Sequence, residues 1–117
     1  MVNERDILAG RVEFIEAGCL GIVALIDSLW CAELSGRKIV PSFMFNPKSI
    51  IDASIPEESL LRIQEIVADV HHGSLSSVSG IIAIGKEIGK ISVSSLLLFD
   101  KVCKELAELI VKTIPQH

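Results

Sequence analysis

Glu65, Asp69 and His72 stand four and three residues apart, with His71 beside them. On a helix this spacing puts a carboxylate, a second carboxylate and an imidazole on one face. Such a set can hold a divalent cation, so a metal-dependent enzyme is one reading of the chain. All of the set comes from one short segment, however, and no matching ligand motif recurs elsewhere. Histidines at the end of a helix also answer the negative end of its dipole. The expectation is therefore no metal and no cofactor. Ser74, Ser76, Ser77 and Ser79 follow the histidines closely, but no GxSxG elbow is present to expose a nucleophile. They suit a loop or a helix cap. Gly80, Gly85 and Gly89 do not make a phosphate loop, because Gly89-Lys90 runs into Ile91 where a hydroxyl residue is needed. No residue is expected to be catalytic.

Charge is more informative than any motif. The formal net charge is −4 over 117 residues, and it is unevenly spread. Residues 1–34 carry −4, residues 35–51 carry +3, residues 52–72 carry −4 and residues 73–117 carry +1. The basic residues of 35–51 are Arg37, Lys38 and Lys48, too few for the clustered excess that nucleic acid binding requires. If the two acidic segments lie side by side, Glu57, Glu58, Glu65 and Asp69 join Glu13 and Glu16 in an acidic patch. A patch of one sign steers a partner of the other, so the expected partner is a basic protein.

The elements that must position these groups follow from apolar spacing. Half of the residues are hydrophobic, with four Phe, one Trp and no Tyr, so the core must be mainly Leu, Ile and Val. Apolar residues remain to spare, which makes self-association a second mode of action. Ile7, Leu8, Val12, Ile15, Leu20, Val23, Ile26 and Trp30 recur mostly at three to five residues, predicting helix from about Glu4 to Leu34. Asn3 is the expected cap, and Gly18 a place for a break or a close approach. Pro41 and Asn46-Pro47 suggest short helices in the uncertain stretch 36–55. Ser54-Ile55-Pro56-Glu57 looks like a capping box for an amphipathic helix from Glu57 to His72, ended by Gly73. Its apolar stripe is Leu60, Leu61, Ile63, Ile66, Val67 and Val70. Residues 81–91 fit a buried helix or a short strand. A last helix runs from about Ser94 to Thr113, with Leu98, Phe99, Val102, Leu106, Leu109 and Ile110 in register. The expected fold class is all-α, a compact orthogonal bundle of four to five helices in a single domain.

Cys19, Cys31 and Cys103 are odd in number and include no CxxC, which argues against a disulfide framework and for a reducing compartment. All three lie among apolar residues and are expected to be buried. The charged N-terminus does not read as a signal peptide. The best candidate for a membrane span, 17–32, is broken by Asp27 and Ser28, is shorter than the ~20 residues a span needs and is flanked by Glu16 and Glu33, and a second, 81–99, is interrupted by Lys86, Glu87 and Lys90. A cytoplasmic protein is expected.

Leu20-Gly21-Ile22-Val23, Phe45-Asn46-Pro47 and Ile55-Pro56-Glu57-Glu58 leading into Ile66-Val67 give the chain a resemblance to small helical bacterial immunity proteins. These are the antidotes carried beside contact-dependent inhibition toxins. The resemblance covers most of the chain and implies a non-enzymatic, cytoplasmic inhibitor that occludes a cognate toxin, often a nuclease. It transfers no individual binding residue, because the group has no fixed motif.

Overall fold

Glycines divide the chain where the sequence suggested. Gly18 and Gly73 have φ of 78° and 80°, a left-handed conformation that costs a residue with a Cβ ~1–2 kcal/mol. Each closes a helix end in the same way. The Cys19 N–H donates to the Phe14 carbonyl at 2.8 Å, and the Ser74 N–H to the Asp69 carbonyl at 2.9 Å, satisfying carbonyls that the last turn leaves open. Gly36 ends the second helix likewise.

The computed structural model describes residues 4–50 and 55–113. Five helices form: α1 (Glu4–Glu16), α2 (Leu20–Leu34), α3 (Glu57–His71), α4 (Ser77–Gly89) and α5 (Val93–Thr113). Two 3-10 turns, Ser42–Phe45 and Pro47–Ile50, bridge α2 and α3. Among the described residues there is no strand, so the fold is all-α. The ambiguous run 81–91 is resolved as helix up to Gly89. The radius of gyration is 13.4 Å, close to the ~13 Å of a compact domain of about this size.

Serines start α4 and α5. Ser76 Oγ accepts from the Ser79 N–H, and Ser92 Oγ from the Ser95 N–H, both at 3.1 Å. At α3 the capping register differs from expectation. Pro56 occupies the cap position with extended backbone and no side-chain bond, and Glu57 is the first helical residue. Ser54 and Asn3 lie outside the described residues.

α4 packs against all four other helices, and its Ile81, Ile84 and Ile88 are fully buried. Small residues let its neighbours close in. A Cβ on Gly80 would meet Val70 of α3 at 2.6 Å, and one on Gly85 would meet the Phe14 ring of α1 at the same distance. In return, a Cβ on Gly10 of α1 would meet Ile82 at 2.8 Å. α1 thus buries Ile7, Gly10 and Phe14.

This packing corrects the expected stripes. Leu8, Val12 and Ile15 share the opposite face of α1 and are 41–50% exposed, and Leu20 is exposed too. α1 has two apolar faces, and only the one carrying Gly10 admits a neighbour closely. On α3, Leu61 points outward. On α5 the buried line is Ser95, Phe99, Cys103, Ala107 and Ile110, while Leu98 and Leu109 are exposed. Phe99 meets Phe43 edge-on at 5.5 Å.

The tightest crossing joins α2 and α5. A Cβ on Gly21 would strike the Asp100 backbone carbonyl and come within 2.9 Å of the Lys104 Cβ. Gly21→Ala is therefore expected to lower stability by about 1–3 kcal/mol through forced separation of the helices. Gly89 has only an ordinary contact at 3.7 Å, to Leu96. Gly89→Ala is expected to be neutral or to stabilise by up to about 1 kcal/mol. Urea unfolding of the two variants checks both, and a Gly21→Ala chain as stable as the parent would show that the crossing is loose.

Candidate partner-binding surfaces

Glu57 and Glu58 open α3, where carboxylates meet the positive end of the helix dipole. Glu58, Arg62, Glu65 and Asp69 continue along one outward stripe, and all four of the predicted α3 acids are exposed. One ion pair lies within the stripe, Arg62 Nη1 to Glu65 Oε2 at 3.2 Å. α3 therefore presents a mostly acidic ridge.

Glu13 and Glu16 do not complete it as expected. α1 and α3 are not a packed pair; each rests on α4 through different residues. Both acids are exposed on α1, and Glu13 Oε2 faces Lys86 Nζ of α4 at 3.6 Å. The two acidic segments form separate surfaces because the central helix occupies the space between them.

The histidines have different surroundings. His71 Nε2 lies 2.8 Å from the Met44 carbonyl, and its ring sits 4.9 Å from that of Phe45. It ties α3 to the 3-10 turn Ser42–Phe45, and His72 caps the helix. Among the described residues no three His, Cys, Asp or Glu side chains gather into a metal-binding group. Ser77, offered by the sequence as a loop or cap residue, is buried and donates to the Ile39 carbonyl at 2.7 Å.

A second surface was not foreseen. Between α2 and α5 lies an open groove of about 650 Å³. Leu20, Ala24 and Ser28 line one wall; Ala107 and Val111 lie on the other. Asp100, Lys104, Glu108 and Lys112 also line it, four residues apart and alternating in sign. That spacing is visible in the sequence, but the direction in which it faces is not.

Asp100 also starts α2. Its Oδ1 accepts the Ile22 N–H at 2.8 Å, in the first turn of a helix whose cap position holds Cys19 and has no side-chain bond. A carboxylate from 78 residues away thus does the work of a local cap. Burial pushes the Cys19 and Cys103 thiols up, and the nearby Asp100 charge adds to it. Cys31, expected to be buried with them, is exposed, because α2 turns Ile22, Leu25, Ile26 and Leu29 inward.

Elsewhere, Arg11 pairs with both carboxylate oxygens of Asp27 at 2.9 and 3.1 Å, binding α1 to α2. Glu33, in the last turn of α2, accepts from the Val78 N–H at the start of α4; burial raises its carboxyl pKa and that bond partly offsets the rise.

Compared with known proteins, the chain matches no family model, no curated protein and no solved structure.

Two measurements check these environments. A thiol reagent is expected to label Cys31 at once in the native protein, and Cys19 and Cys103 only on unfolding; fast reaction of all three would contradict the burial. Because the folded carboxyl of Glu33 has a raised pKa, its ionisation opposes folding. That cost is absent below the unfolded value of about 4.3 and grows as pH rises through the folded value. Glu33→Gln keeps an acceptor oxygen, so its stability relative to the parent should be higher at about pH 7 than at about pH 3.5. A difference independent of pH, measured by urea unfolding, would show that Glu33 is not desolvated.

Proposed function

We infer that the chain is a non-catalytic binding protein that engages a basic protein partner through the acidic ridge of α3. The observation that carries this is the alignment of exposed Glu58, Glu65 and Asp69 along one helix face, with Glu57 at its start and only Arg62 opposing them. The partner implied by the resemblance to immunity proteins is a cognate toxin, and the setting is the bacterial cytoplasm. A nuclease toxin has a basic active site built for phosphates. A rigid ridge of carboxylates can compete with the substrate for that site and speed association through long-range attraction. The ridge lies on a helix whose inner face is anchored by Ile63, Ile66, Val67 and Val70, so little ordering is needed on binding.

Binding should be tested against the product of the adjacent upstream gene. Glu58→Lys, Glu65→Lys and Asp69→Lys combined should slow association by about 10–100-fold at low salt, and added salt should narrow the gap. The variant's helicity should match the parent by circular dichroism. A harmless gene product, absence of binding, or association indifferent to these three reversals would refute the assignment.

A further inference from the structure

The α2–α5 groove carries a charge pattern that the acidic ridge does not explain. Asp100, Lys104, Glu108 and Lys112 line it and are spaced by four residues, which places successive charges about 6 Å apart along the helix. At this spacing they could pair along their own helix. Yet among the described residues no ion pair involves Lys104, Glu108 or Lys112. These three side chains are exposed at the groove's lining, while Asp100 is half-buried at its end.

The order of signs is antisymmetric about the middle of the series, beside Leu106. An antiparallel copy of α5 laid along it sets Asp100 opposite Lys112 and Lys104 opposite Glu108, and the two-fold axis repeats both contacts. All four charges meet their opposites. A parallel copy sets every charge against its like. The apolar lining agrees with the antiparallel arrangement. Leu20 and Val111 are 65% and 50% exposed. Gly21 abuts Asp100 and Lys104, so Leu20 stands at the Asp100 end of the groove. The antiparallel copy brings its own Val111 to that same end. Ala24 and Ala107 are small and leave room in the groove, which lets a second helix approach closely.

We propose that the groove between α2 and α5 is a self-association surface, occupied by the antiparallel α5 of a second copy of this chain in a two-fold dimer. An interface that is its own complement is the signature of two-fold pairing, and here the complement is written into one helix. No α3 residue lines the groove, so the acidic ridge is not part of this surface.

Sedimentation equilibrium up to about 0.5 mM chain reads the outcome directly. The parent is expected to dimerise with a Kd in roughly the micromolar range. Lys104→Glu sets Glu against Glu108 twice per dimer and should weaken association by about tenfold or more. Lys104→Glu combined with Glu108→Lys swaps the pair, restores opposite charges at both contacts and should return the Kd to within about threefold of the parent. Circular dichroism should show equal helicity in all three chains. A parent that stays monomeric, a dimer that Lys104→Glu leaves intact, or a swap that fails to rescue would each overturn the proposal; an intact dimer would place the interface elsewhere, with the exposed Leu8, Val12 and Ile15 of α1 the next surface to alter.

Discussion

The meeting of α2 and α5 is the constraint on which the rest of the molecule depends. Gly21 has no side chain, so the backbone of α5 can come against α2 at Asp100. Only at that distance can the Asp100 carboxylate reach the Ile22 N–H. The bond satisfies a donor that Cys19 cannot, and places a negative charge at the positive end of the α2 dipole. With the two helices so joined, Cys19 and Cys103 are sealed from water. The groove runs beside this contact and is lined by both helices, Gly21 and Asp100 included.

α4 imposes the second constraint. As the helix that touches all others, it must accept neighbours on every side. Gly80 and Gly85 make hollows for Val70 and Phe14, while its isoleucines fill the interior. The consequence reaches the surface. By standing between α1 and α3, α4 keeps Glu13 and Glu16 apart from the α3 acids, and its Lys86 answers Glu13. The charge that the sequence carries in two acidic segments is thereby presented as two faces instead of one.

The two candidate surfaces use charge in different ways. Along α3 most charges have the same sign, so their fields add and extend about one Debye length, ~8 Å, into physiological saline. Such a ridge attracts an oppositely charged partner before contact. Along α5 the signs alternate, so the fields cancel at a distance and matter only when side chains meet. A pattern of that kind sets register and direction and contributes little to capture from solution. One face suits the recruitment of a different molecule; the other suits alignment with an identical one.

Much of the architecture was legible in the residues themselves. Apolar spacing near 3.6 marked the helical segments, Gly18 and Gly73 marked two of their ends, and the exposure of Glu57, Glu58, Glu65 and Asp69 followed from the amphipathic pattern of α3. These are local properties, set by backbone conformation and by the alternation of wet and dry faces along one element. Tertiary structure alone decided which apolar residues are buried. Leu8, Val12 and Ile15 have the same hydrophobicity and periodicity as Ile7 and Phe14, but only the face with Gly10 can approach α4. It also decided that Asp100 caps a helix 78 residues away, that Cys31 faces water, and that an alternating run on α5 lines a groove. Each of these turns on which element lies across from which. Spacing along one chain does not carry that information, because close packing depends on the shapes of both surfaces that meet.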